Sequence, residues 1–265
     1  MLLTSPYGNL KKWLIKICNL SFFVSLFSLV FYGIIWEYAK VLGIPLLENL
    51  PSISSVLSVT KEFIFSSVYL EACTLSMRRI LIGFVVAQIL AVPLGLLMAM
   101  HRTSFNMIFP IVEMLRPIPP VAWIPVAIIF WPTRELSVIS IIVLGGFWVV
   151  LLNTLGGASN IDLALKRAAI SLGSKPRHIF WKIVLPAALP SIITGMVVGI
   201  GISWEMVVAA EMISGNGGLG YLLWQSFEFN AIDHVIVCMI SIGIAGYASS
   251  AFIRVLGQWL TPWRR

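Results

Sequence analysis

Charged side chains are scarce in this chain. They make up 11% of its 265 residues, against about a quarter in an ordinary soluble domain. Together with a hydrophobic content of 59%, that deficit excludes a conventional soluble fold and points to a single membrane domain over residues 1–265. Acidic groups are the rarer sign, 11 against 18 basic, which leaves a formal charge of +7. In a soluble protein such an excess suggests nucleic acid. Here the bases cluster in short loops between apolar runs, so they report topology and contact with anionic lipid, and no nucleic-acid partner is expected. Cysteine is also sparse. Cys18, Cys73 and Cys238 stand far apart in apolar surroundings, with no CxxC pair and no metal-ligand spacing, which reads as inert packing thiols. His101, His178 and His234 are scattered, and neither an HExxH nor a Walker A sequence occurs. The residues therefore offer no metallopeptidase helix and no phosphate loop for ATP.

Two motif-like stretches fail on context. Asn19-Leu20-Ser21 has the glycosylation spacing but lies inside an apolar run. Gly215 to Gly220 fits GxGxxG, yet follows a membrane helix and not a strand, so a dinucleotide site is excluded and a tight outer turn is expected.

What the chain does have is long apolar runs: Ile17–Trp36, Ile80–Met100, Pro117–Thr133, Leu136–Ile161, Ile183–Trp204 and Val235–Ile253. Most approach the roughly 20 residues a spanning helix needs. The third is untidy and is expected to start near Asn106, pass Glu113 and Arg116, and end near Trp131. The reading is an all-α integral membrane protein of about six spans. Lys11, Lys12 and Lys16 precede the first run, which reads as a retained helix and not a cleaved signal. An inside N-terminus puts these three with Arg102, Lys166, Arg167, Lys175, Arg177, Lys182, Arg254, Arg264 and Arg265 in the cytoplasm. Lys40, Lys61, Arg78, Arg79 and Arg134 then fall outside. Arg78 and Arg79 are awkward there, and an amphipathic segment from Ser66 to Arg79 along the outer interface would accommodate them. Ile44 to Ser58 reads as an extended loop, followed by an interfacial helix around Ser55 to Phe65.

Small residues recur every fourth position at Ala87, Ala91, Gly95 and Ala99, and again at Gly195, Gly199 and Ser203. Such spacing lets backbones approach closely in lipid. It serves either packing within the chain or a seam at the pathway or a subunit interface. Pro117, Pro119, Pro120 and Pro125 cannot continue a regular helix, and backbone left unpaired at membrane depth must line a cavity or be buried in protein. Beside them Glu113 and Arg116 share a face, as an ion pair bracing the break or as a polar lining or gate, with Pro117 and Trp123 next to it. Glu205 and Glu211 lie in or near the fifth run; each needs a partner or water, since a lone charge at the bilayer centre costs roughly 2.5–3.5 kcal/mol. Six apart, they do not share a face, whereas Trp204 and Glu211 do. Each carboxylate has a pathway reading and a packing or gating one, and a negative lining suits a zwitterionic or cationic solute better than a bare anion.

The strongest local signal is the polar stretch from Asn160 to Pro190. Leu163 to Ser171 can form an amphipathic helix, Gly173 a sharp turn, and Lys175 to Val184 a second helix, with Pro186 and Pro190 at the entry to the fifth span. The sequence Arg167-Ala168-Ala169-Ile170-Ser171-Leu172-Gly173, then nine residues, then Ile183-Val184-Leu185-Pro186, resembles the EAA loop of ABC importer permeases. Arg167 stands where that motif has glutamate, which matches the sulfonate and taurine branch better than the general pattern. The segment from Glu113 to Pro125 resembles that family's E-x-x-R-P-x-P-P-x-A-W-x-P. Val208 to Met212, Gly217 to Tyr221 and Thr261-Pro262-Trp263 resemble its later stretches. The likeness covers about residues 70–265 and is to permeases for nitrate, sulfonate, taurine and bicarbonate.

That resemblance implies a MetI-like permease fold with a core at about 70–257, an extra N-terminal helix at about 17–36 and a coupling loop at about 160–186. Arg167, Ala168, Ala169, Gly173, Ile183, Leu185 and Pro186 would couple to an ATPase, and Glu113, Arg116, Pro117, Trp123, Trp204, Glu205 and Glu211 would line or gate the path. It further implies a homodimer in a bacterial inner membrane with both termini cytoplasmic. ABC ATPase subunits would bind ATP and Mg, so that this chain holds no cofactor of its own, and a periplasmic or lipid-anchored binding protein would deliver a small polar solute. A thiamine-pyrimidine or riboflavin-type solute is the alternative. A membrane enzyme or passive channel is the rival class, but no converging acid, base or metal constellation is visible.

Overall fold

The computed structural model describes residues 24, 27, 28, 30–38 and 50–264, and all regular structure among them is helical. The chain divides into two compact units, Met1–Glu62 and Phe63–Arg265. The start of the expected first span, Cys18, the Asn19 sequon, Lys11, Lys12, Lys16, Lys40, Arg265 and most of the expected outer loop before Leu50 lie outside the described residues.

In the first unit, residues 30–38 are helical. Trp36 Nε1 donates to the Pro51 carbonyl at 3.1 Å, and Glu37 accepts from the backbone N–H of Ile53 at 2.6 Å and from the Ser54 hydroxyl at 3.0 Å. Glu37 thereby satisfies an orphan donor at the start of helix α1 (Ile53–Ile64), where a negative charge also suits the helix dipole.

The second unit is built on α2 (Ser67–Met100), α5 (Arg134–Ser159), α8 (Leu185–Ser214) and α10 (Ile232–Leu260). Between them lie α3 (Arg102–Leu115), a 3-10 turn at Pro120–Trp123, α4 (Ile124–Phe130), α6 (Leu163–Ser171), α7 (Pro176–Ile179) and α9 (Leu219–Glu228). Four helical stretches are long and apolar enough to cross a bilayer: α2, α5, the run Pro176–Ser214 and α10. A fifth candidate is the pair Arg102–Leu115 and Pro120–Phe130, bent by 88° at its break. Among the described residues these four or five spans agree roughly with the six expected from sequence, the first of which lies largely outside them.

Two expectations need correction. The third span is not one helix. Its carbonyls run out of donors at Pro117, Pro119 and Pro120, so the chain turns sharply and restarts with Pro120 and Pro125 in first-turn positions, where a missing N–H costs nothing. Nor is Ser66 to Arg79 a separate interfacial segment. Ser66 caps α2, its hydroxyl accepting from the Tyr69 N–H at 3.2 Å, and the helix runs unbroken for 34 residues. That is about 51 Å, longer than the roughly 30 Å hydrocarbon core. The fifth span likewise runs past Trp204 to Ser214, which places Glu205 and Glu211 inside it.

Helix α5 is the centre of the unit, held between α2 and α8 by small residues. A Cβ on Gly95 of α2 would stand 2.8 Å from Thr154 Cβ and 2.9 Å from the Leu151 carbonyl, and Ala87 and Ala91 are fully buried. On the other side, Gly195 lies against Asn153 and Val150, Gly199 against Val150, and Ser203 against Gly146. Both small-residue stripes thus serve packing within the chain. Lipid tails supply no hydrophobic drive between helices, so close backbone contact does the joining. Gly95→Val should weaken the unit by about 1–3 kcal/mol, because a backbone carbonyl cannot step aside. Gly201→Ala, where an added Cβ meets nothing within 4 Å, should leave stability unchanged or raised. Thermal unfolding in detergent compares the two.

Candidate functional site

Three features carry charge or exposed surface that packing alone does not explain. The first is the polar loop. Asp162 caps α6, its carboxylate accepting from the Ala164 N–H at 2.8 Å. The helix closes in a paired cap: Ser174 N–H to the Ala169 carbonyl at 3.0 Å and Gly173 N–H to the Ile170 carbonyl at 2.9 Å, with Gly173 at φ +76°. Nothing lies within 4 Å of a Cβ placed there, so glycine is needed for its left-handed backbone alone.

The second arm is not an independent helix as expected. Helix α7 passes through a π-turn at Phe180–Val184 straight into α8. Pro186 explains the wide turn: it has no N–H for the Lys182 carbonyl, its ring crowds that carbonyl, and Leu185 N–H bonds instead to Phe180. At the base, Val184 is buried with Ala158, Ile161, Ala188 and Ile192, and Ile183 and Leu185 pack against this cluster. Ile183, Leu185 and the half-buried Pro186 therefore fasten the loop. Arg167 and Ala168 face outward, Ala169 is half-buried, and Leu172 is 86% exposed. A cleft of about 490 Å³ on this surface is lined by Leu172, Lys175, Arg177, His178, Trp181 and Lys182, among others. Apolar and cationic groups displayed together on an inter-span loop mark an interaction surface.

The second feature went unseen in the sequence. Arg79 is wholly buried and uses all five of its donors. Its Nε and Nη2 bond Glu135 at 3.0 and 2.7 Å, and Nη1 bonds Glu211 at 2.9 Å. The remaining hydrogens of Nη1 and Nη2 reach the carbonyls of Gly217 and Asn216 at 2.9 and 2.8 Å. Glu211 also accepts from the Ser76 hydroxyl and from the Gly220 N–H at 2.9 Å, and Leu219 N–H donates to Ser76 at 2.8 Å. Arg78 adds a peripheral pair to Glu135 at 3.0 Å. The glycine-rich turn after α8 thus wraps a carboxylate. Gly218, at φ +100°, is pressed so closely on Glu211 that a Cβ would collide with the carboxylate, and one on Gly220 would collide with the Val208 carbonyl. The available signal was charge of both signs inside apolar helices, which has to pair.

The third feature is the pathway set, which the structure does not gather into one place. Glu113 and Arg116 pair at 3.5 Å, both about half exposed, at the break after α3. Pro117 is exposed beside them, and half-buried Trp123 lines a separate apolar groove of about 660 Å³ with Val86, Leu90, Phe130 and Trp131. Trp204 is buried and donates to the Ser249 hydroxyl on α10 at 3.0 Å. Glu211 is 0% exposed in the network above. Glu205 alone of the two α8 carboxylates is exposed.

Comparison with known proteins fits this arrangement. Residues 91–265 match the family model for the binding-protein-dependent transport system inner membrane component. A Methanocaldococcus jannaschii protein assigned as an ABC transporter permease is 37% identical over 88% of both chains. The nitrate import permease protein of a Synechocystis strain is 32% identical over 81% of this chain and 82% of its own. The taurine transport system permease protein of Escherichia coli is 35% identical over 71% of this chain and 68% of its own. A chain of the inward-facing MetNI methionine ABC transporter aligns with TM-score 0.64 at 18% identity, over 73% of this chain and 96% of that one, which establishes a shared fold. The chain belongs to the family of binding-protein-dependent transport system inner membrane components. It is a multi-pass membrane permease subunit of an ABC importer.

Removing one member of the Arg79 network leaves a buried charge unpaired. Arg79→Met should therefore cost about 3–5 kcal/mol. Arg79→Lys, which keeps the charge but cannot fork between two carboxylates and two carbonyls, should recover only part of it. Chemical unfolding of the detergent-solubilised protein gives both values, and equal stability of Arg79→Met and wild type would refute the assignment.

Proposed function

We propose that this chain works as one of two identical copies that together form a solute path, driven by separate ATPase subunits that hold ATP and Mg and fed by an outer solute-binding protein. The observation that carries this is the polar loop: it displays exposed Leu172, Arg167, Lys175 and Arg177, and its second arm is continuous with α8. A surface fastened at the base and free at the tip can be pushed by a partner, and an unbroken helix carries the displacement into the membrane. ATP-driven closure of the motors would turn the path outward and hydrolysis would return it inward. The basic loop and both termini face the cytoplasm, in line with the positive-inside rule. The N-terminal segment and the helix ends contact membrane lipid.

The solute is small and polar, of the sulfonate or taurine, nitrate or bicarbonate type, as the names of the relatives suggest; a thiamine pyrimidine or riboflavin-type solute is the alternative. A passive channel or a membrane enzyme has no use for a motor-docking loop. Arg167 in place of glutamate calls for a carboxylate on the docking surface of the ATPase. Arg167→Glu should therefore lower the amount of ATPase that co-purifies with the tagged chain several-fold, and salt should narrow the difference. Deleting Leu163–Ile179 should abolish association. ATPase activity of the intact preparation, measured with taurine, alkanesulfonates, nitrate, bicarbonate and a thiamine pyrimidine, identifies the solute. An intact preparation that carries no ATPase subunit would overturn this function.

A further inference from the structure

We infer that Glu205 is a charge-selecting residue of the translocation path, so that the transported solute carries a positive group such as an amine and is not a bare inorganic anion. This rests on the permease function above and narrows its substrate class.

Depth comes first. Glu205 lies nine residues before the outer end of α8, about 14 Å along the axis. Its neighbours Ser203 and Met206 pack on Gly146 and Gly145, near the middle of α5, and Trp204 packs on Gly246 of α10. The contacts to the middles of α5 and α10 thus place Glu205 close to mid-membrane. Its side chain is exposed, and no ion pair or hydrogen bond engages it among the described residues. A carboxylate there cannot face lipid without a cost of roughly 2.5–3.5 kcal/mol, so its face must meet water or protein.

The face itself is open. Thr194, Val198, Gly201 and Glu205 follow at spacings of four, three and four, one stripe of a helix. The other sides of α8 are taken by α5 and α10, whereas a Cβ on Gly201 would meet nothing within 4 Å. The cytoplasmic end of the stripe opens into a cleft of about 680 Å³ that also holds Arg254 and Gln258 of α10. A solute moving inward therefore passes a fixed negative charge at mid-depth and a positive one nearer the cytoplasm. That order suits a molecule with an amine beside its anion. A second copy across the stripe would place two carboxylates about the path, and a cleft of one sign enriches the opposite charge.

The test reads local charge without needing the solute. In the complete complex with its ATPase, reconstituted into liposomes, Gly201→Cys is introduced after Cys18, Cys73 and Cys238 are replaced by serine. Rates are measured for a cationic and an anionic methanethiosulfonate, each normalised to a free thiol in solution. The cationic reagent should react about tenfold faster or more, and Glu205→Gln should collapse the ratio toward unity. A ratio at or below unity, a ratio that Glu205→Gln does not move, or no modification by either reagent overturns the inference. So does stimulation of the complex's ATPase by nitrate or bicarbonate. None of these outcomes touches the importer function, which fails only if no ATPase subunit associates.

Discussion

Everything at the end of the bundle away from the polar loop depends on one guanidinium that burial forces to be fully satisfied. Arg79 ties α2 to α5 through Glu135, to α8 through Glu211, and to the turn after α8 through two carbonyls. In water such a cluster would add little net stability, since desolvation offsets the Coulombic gain. In an apolar helix bundle its weight lies in what its loss would leave behind, a bare charge with no solvent. The geometry is correspondingly overdetermined: Gly218 admits no side chain because its backbone lies directly on the carboxylate. Of the glycines in this turn, Gly218 lies on the carboxylate, Gly220 packs on the Val208 backbone, and Gly215 and Gly217 take left-handed backbone.

The opposite end has the reverse character. The loop between α5 and α8 meets the bundle through a small apolar cluster at its base, while its tip holds exposed leucine, tryptophan and basic groups. Helix α8 joins the two ends, its C-terminal end fixed to Arg79 and its N-terminal end continuous with the loop through the π-turn. The second arm of the loop therefore enters the membrane helix with no intervening coil, its one irregularity being the π-turn. The glycines let α5 and α8 lie close, with Met206 seated on Gly145 and Asn153 and Val150 on Gly195.

The sequence made parts of this legible and hid others for physical reasons. Hydropathy located the spanning helices because apolar length is a local property. Gly173 announced its turn because left-handed backbone is a local demand. The prolines announced the break after Arg116, although not its 88° bend, since the angle depends on what the two halves pack against. The Arg79 network was hidden because its members are scattered: Arg79 is separated from Glu135 by 56 positions and from Glu211 by 132. Reading Arg78 and Arg79 as an interfacial pair treated a doublet as one unit. The helix instead buries one arginine and leaves the other 62% exposed, as neighbours about 100° apart on a helix will be.

Charge accounting within the membrane leads to the last step. Glu211 and Glu135 are engaged by Arg79, and Glu113 is engaged by Arg116. These groups set shape and are electrostatically quenched at a distance. Glu205 has no such partner among the described residues and stands on a stripe of α8 that the bundle leaves uncovered. Its position next to Trp204 fixes that direction: with the indole anchored to Ser249 on α10, the following residue is turned away from the packed side by the helix rotation alone. The fold thus imposes an unbalanced negative charge on whatever fills that stripe. A buried ion-pair brace and an exposed, unpaired carboxylate can stand six residues apart on one helix because one side of α8 builds the bundle and the other is left open.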